Sequence, residues 1–195
     1  MTLEGFLRLA LQTVTAPREV ARLLLSLRLP REALVLGFAL VVVGNALVFS
    51  VSLVLSPPNV ALGLLGNPLS LMAIRAVVLF ATILCFTWGG RMFGGTARFQ
   101  DMALLLIWLQ ALSVAVQVVF SLVLPLAPGL SSLLVFAATA VGAYITVNFI
   151  DEAHALASAG KSVMVMIFGL IAMAIGLSIL LSLLGFTPTG LTGYV

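Results

Sequence analysis

Residues 88 to 101 read WGGRMFGGTARFQD, and whether this chain folds in water or in lipid turns on how they are understood. The stretch joins two long apolar runs and places four glycines and two arginines in a short connection. A phosphate loop of the Walker kind needs GxxxxGK followed by Ser or Thr, with the lysine reaching the phosphates. Gly90 and Gly95 have the spacing, but Thr96 stands where the lysine is required and no strand precedes the loop. A dinucleotide fingerprint fails for want of the same strand and of an acidic residue further on. What remains is a turn between two membrane spans. Trp88 suits the interfacial belt, and glycine pairs at 89/90 and 94/95 permit positive φ and close backbone approach. Arg91 and Arg98 then face lipid phosphates, and Asp101 opens the next helix.

Working outward, the composition agrees with lipid as the solvent. Of 195 residues, 63% are hydrophobic and 8% charged, with a mean hydropathy of +1.30. A soluble domain carries about 25% charged residues. Five stretches can cross about 30 Å of hydrocarbon at 1.5 Å per residue: Leu34 to Leu55, Leu69 to Trp88, Met102 to Leu124, Leu130 to Ile150 and Val163 to Phe186. They are apolar all round, whereas the strands of a membrane barrel alternate with a polar inner face. The expected fold class is therefore all-α: a polytopic bundle of five transmembrane helices (residues 33–195) preceded by an amphipathic helical head (residues 1–32). The head is too long for an ordinary cleaved signal, and span one is expected to be retained. The one cysteine, Cys85, lies inside an apolar run and permits no intrachain disulfide.

The charges set the threading. Arg8, Arg18, Arg22, Arg28 and Arg31 precede span one; Arg91 and Arg98 follow span two; Lys161 follows span four. The connections SPPNVALGLLGNP and PLAPG and the terminal GFTPTGLTGYV carry no charge. By the positive-inside rule the N-terminus is cytoplasmic and, after five spans, the C-terminus is outside. This clustering at span ends, rather than along a polar surface, argues against nucleic acid as the partner despite a net charge of +3.

Within the head, Leu3, Phe6, Leu7, Ala10 and Val14 share one helical face, and Glu4, Arg8 and Gln12 the opposite one. A second helix begins at Pro17, with Arg18, Glu19 and Arg22 facing away from Val20, Leu24 and Leu27. The tripeptide PRE at Pro17 to Glu19 and Pro30 to Glu32 reads as a helix start twice, since Pro at the first position and Glu in the first turn suit the free N–H groups and the dipole. Such helices lie in the headgroup zone, either as a surface anchor packed on the bundle or as a platform for a partner. The candidate contact surface for lipid or partner comprises Gly89, Gly90, Arg91, Gly94, Gly95, Arg98, Phe99 and Asp101, with Arg18 and Arg22.

Polar residues inside the spans are few. Arg75, about 9 Å from the outer end of span two, either snorkels or holds a ligand or partner. Gln110 and Gln117 share a face of span three and, like Asn45 and Asn148, suit hydrogen bonds between helices. Small residues at Ala138, Gly142, Gly169, Ala172 and Gly176 mark faces that can pack closely. Asp151, Glu152 and His154 read as a solvated helix end, the helix continuing towards Gly160. One histidine excludes an HExxH zinc site, and no Ser, His and Asp set is available within the bilayer. No cofactor or metal is expected.

Three segments together, APREVARLLLSLRLPREAL, WGGRMFGGTARFQDMALLLIW and NFIDEAHALASAGKS, resemble the bacterial branch of the Yip family, the Ypt-interacting five-span membrane proteins. The resemblance covers nearly the whole chain and carries no catalytic signature. Eukaryotic members are associated with Rab-type GTPases and bear Asp-Leu-Tyr-Gly-Pro in a long head, a motif absent here. What the resemblance implies is a bacterial inner-membrane home; with the absent catalytic set and the amphipathic head, it leads to the expectation of a non-enzymatic scaffold, assembly or organising factor. Its expected partners are membrane lipids and other integral membrane proteins or further copies of itself. The runner-up reading is a small transporter or channel, motivated by Arg75 and the glutamines.

Overall fold

The structure is a computed structural model that describes residues 3–55, 67–123 and 131–183. Among the described residues all regular structure is helical: α1 (Leu3–Thr15), α2 (Pro17–Ser26), α3 (Arg31–Leu55), α4 (Pro68–Met92), α5 (Phe99–Val123), α6 (Ser131–His154) and α7 (Ala159–Leu183). The last five are long and apolar enough to cross a membrane, and each closes its own backbone hydrogen bonds as lipid demands. The connections SPPNVALGLLGNP and PLAPG fall mostly outside the described residues, as does the C-terminal segment.

Helix starts follow local chemistry. Pro17 opens α2; at α4, Asn67 accepts a hydrogen bond from the Leu69 N–H (2.9 Å) ahead of Pro68, satisfying a donor that the first turn leaves free. Two boundaries differ from the expected ones. Gly89 and Gly90 belong to the last turn of α4 rather than to the turn beyond it. Helix α6 stops at His154 instead of running towards Gly160, because the chain reverses at once and α7 begins at Ala159.

The starts of α3, α5 and α7 meet the ends of α4 and α6 at one end of the bundle, which collects the arginines of the head and of the α4–α5 connection. There α2 lies across α5 and α6, burying Pro17, Val20, Ala21 and Leu24. That i, i+3, i+4, i+7 spacing is the apolar stripe expected of a packed helix. The core beneath it is built from Ile83, Phe86, Met102, Leu105, Phe149, Ile150 and Val165. Helix α1 is attached through the Phe6 ring, edge-on to Trp108 at 5.5 Å. Trp108 Nε1–H also donates to the hydroxyl of fully buried Thr13 (3.0 Å). Leu7, Leu11 and Val14 stay exposed, the apolar face an interfacial helix turns to lipid. Deeper in the bundle Gln117 donates from α5 to Asn45 on α3 (3.0 Å), and Gly169 of α7 leaves room for the Phe86 ring, which any Cβ there would overlap. Gly142 and Gly176 have nothing within 4 Å of such a Cβ.

Candidate functional site

Two helix ends interlock at the arginine-rich end. Helix α4 closes with Gly94 in the left-handed region (φ 88), the Gly94 N–H donating to the Arg91 carbonyl (3.0 Å) and the Gly95 N–H to the Gly90 carbonyl (2.8 Å). This is a Schellman cap. In such a cap a hydrophobic contact commonly joins the two residues that here are Gly90 and Gly95. Both lack a side chain, and the imidazole of His154 fills the vacated space: a Cβ on either glycine would overlap the ring. Helix α6 ends by the same device, Leu156 N–H to the Asp151 carbonyl (3.2 Å) and Ala155 N–H to the Glu152 carbonyl (3.4 Å). Here alanine, not glycine, takes the left-handed position (Ala155 φ 52), followed by a second at Ala157 (φ 50).

The hydrogen bonds of His154 fix its proton. Nδ1 lies 3.3 Å from the Ala97 N–H, which can only donate, and Nε2 lies 3.1 Å from the Phe86 carbonyl, which can only accept. The ring is therefore neutral with hydrogen on Nε2. It is 1% exposed, and its own carbonyl accepts from the Thr96 N–H (3.2 Å). Arg91 clasps the same loop, donating from Nε and Nη2 to the Ala97 carbonyl (3.3 and 3.2 Å).

One turn earlier on α6 the carboxylates hold the head. Asp151 accepts from Arg18 Nη2 (2.7 Å) through one oxygen and from the Ser158 N–H and Ser162 Oγ (3.1 Å each) through the other. Arg18 Nε also donates to Asn148 Oδ1 (2.9 Å). Glu152 receives Arg22 bidentately, at 2.7 and 3.2 Å, which raises the Arg22 guanidinium above its usual pKa. The carboxylates and histidine are thus not a solvated helix end. Helix α2 reaches over the carboxylates, with Asp151 only 6% exposed, and the α4–α5 connection encloses His154; paired charges can tolerate such burial.

Of the predicted contact residues, the structure brings Gly90, Arg91, Gly95, Arg18 and Arg22 into this junction. Gly89 packs against Val165 and Phe168 of α7. Arg98 turns the other way, on Asp101: Nε to Oδ2 at 3.0 Å and Nη2 to Oδ1 at 3.1 Å, with the Arg98 N–H on the same carboxylate (3.2 Å). Those side-chain bonds to Asp101 also raise the Arg98 guanidinium above its usual value. The carboxylate caps the first turn of α5. Phe99 packs on Phe80 at 5.8 Å between ring centres. Arg75 is half-buried on α4 and makes no ion pair among the described residues. Gln110 is not joined to Gln117's bond with Asn45. The sequence reading missed the roles of His154, Thr13 and Trp108; the signal for the first was there, two glycines five apart and a single histidine.

Among the described residues, His, Cys, Asp and Glu do not gather in threes as a metal site would require.

Seven helices among the described residues, five of them able to span, with a head clamped by charge onto one end, define an integral membrane protein of the polytopic α-helical class. Within that class the family is settled by sequence: the family model for the Yip1 domain matches residues 11–180, and the chain belongs to the Yip1 domain family. Neither a curated protein nor a solved structure matches it.

Proposed function

We propose that this Yip1-domain protein is a non-enzymatic scaffold, assembly or organising factor of a bacterial inner membrane. Its arginine-rich end is cytoplasmic and its C-terminus periplasmic, and it works through contacts with lipids and other membrane proteins. The observation that carries the reading is how the reactive groups are used. Both ring nitrogens of His154 are bound to backbone, Asp151 takes three donors and Glu152 a bidentate arginine. These groups hold the head and the α4–α5 connection as one rigid surface, and proton transfer would need one of them free. The Yip1 family is likewise not known for enzymatic activity.

The test has two arms. Reporter fusions at the two termini are expected to respond from opposite sides of the membrane. Purification of the full chain in mild detergent is expected to bring down a stoichiometric membrane protein, and substitutions on the exposed arginine-rich face should release it. Termini reporting one compartment, or a protein recovered repeatedly without companions, would sink the proposal. A transporter reading rests on Arg75, the half-buried cation with no ion pair among the described residues. It predicts solute flux in reconstituted vesicles that Arg75→Ala abolishes.

A further inference from the structure

The α2–α3 corner and the start of α5 enclose two adjoining chambers of opposite character. The first, about 590 Å³, is apolar and lies between α3, α4 and α5, walled by Val35, Phe38, Phe80, Phe99 and Ile107 with Arg31 and Arg98 at its edge. The second, about 420 Å³, is polar and sits under the head, lined by Arg28, Arg98, Gln100 and Asp101. Leu34, Arg98 and Gln100 line both, so the two adjoin. Their sizes fall in the range of small-molecule sites, about 300 to 1,000 Å³.

Three guanidinium groups and one carboxylate face the pair of chambers, a balance of +2 (three minus one, counting Arg28, Arg31, Arg98 and Asp101). Asp101 is already taken by Arg98. Arg28 and Arg31 are exposed, with no ion pair among the described residues. Arg28 is held in the left-handed region (φ 43) at the bend between α2 and α3. The apolar chamber is walled by three candidate spans, and Val35 and Phe80 on its wall are 68% and 50% exposed. Its surroundings are therefore acyl chains rather than water.

We propose that the paired chambers bind one anionic phospholipid, an acyl chain in the α3–α4–α5 cleft and the phosphodiester on Arg28, Arg31 and Arg98. This rests on lipids being among the protein's contacts and names which lipid and where. Arginine forks match phosphate oxygens bidentately. A zwitterionic headgroup would bring its own cation against three others, whereas an anionic one adds a net charge that the +2 balance attracts. A soluble phosphate compound would leave the apolar chamber unused.

The experiment takes the full chain reconstituted in vesicles of dioleoyl phosphatidylglycerol and dioleoyl phosphatidylcholine in equal amounts, extracts it in mild detergent and weighs the retained lipid by native mass spectrometry. One phosphatidylglycerol per chain is expected, preferred about tenfold or more, since each nearby arginine is worth about fivefold towards anionic lipid. R31Q with R28Q should erase the preference, while R8Q, an exposed cation on α1 outside both chambers, should leave it intact. V35W, which fills the apolar chamber from an exposed position, should remove bound lipid of either kind. Equal retention of the two lipids, an equal loss in R8Q, or no loss in V35W overturns the assignment. So does displacement of the lipid by millimolar glycerol 3-phosphate, which would make the site one for a soluble anion. None of these results bears on threading or on companion proteins, which the tests of function address separately.

Discussion

The two halves of the bundle are built on different rules. At the arginine-rich end, Asp151, His154, Thr13 and the run Met102–Ile107 are buried, and side chains of α1, α2, α5, α6 and α7 exchange hydrogen bonds and charge. Towards the other end, Val118, Val119, Leu133, Phe136, Ile175 and Ile179 are all exposed, and beyond the Gln117–Asn45 bond and Arg75 the helices show mainly hydrocarbon. In lipid an apolar side chain gains little by turning from solvent to a neighbouring helix, so packing there depends on small residues and shape. Polar partners, by contrast, have strong reasons to find each other wherever water thins out. Specific structure therefore concentrates where charges are available, and the remainder of each span is free to follow its lipid surroundings.

The hardest blow to that contrast is Gly95→Ala. Its methyl would overlap the His154 imidazole, and overpacking of this kind costs about 3 kcal/mol; a large fall in the thermal midpoint in detergent is expected, with loss of the Nε2–H histidine signal in nitrogen NMR. Next comes Arg18→Ala, which strips a charge partner from nearly buried Asp151 at a cost of about 2 kcal/mol and should expose the α2–α3 bend to trypsin. Ala155→Gly runs in the opposite direction. It relieves an alanine held at φ 52 and should stabilise by about 1 kcal/mol, read as a higher midpoint. The smallest change is expected from Gly142→Ala or Gly176→Ala, within about 0.5 kcal/mol, because neither methyl meets anything within 4 Å. Equal losses at Gly176 and Gly95 would show that the two halves are not built differently.

How much of this was legible in the sequence follows the same division. The number of spans could be read because hydropathy over some twenty residues is an additive quantity that packing does not alter. The buried stripe of α2 could be read from Val20 and Leu24, since one face of a short amphipathic helix has to go somewhere. The pairing of Arg18 with Asp151 could not, because the partners are 133 positions apart and each, taken alone, is an ordinary solvated charge. Ala155 hid the end of α6, for alanine is the best helix former and signals no turn. The glycines at 89 and 90 misled in the other direction: a helix-breaking pair remains helical because Gly90 provides the slot that His154 needs. Which spans touch was beyond reach altogether, as lipid and protein offer their apolar surfaces the same environment.

The clamp on the head also orders events during synthesis. Arg18 and Arg22 leave the ribosome early, while Asp151 and Glu152 follow 130 residues or more later, on the order of ten seconds at usual elongation rates. Through that interval the first two helices lack the two carboxylates that clamp them. The oldest part of the nascent chain can thus be seated only once the end of α6 has been made.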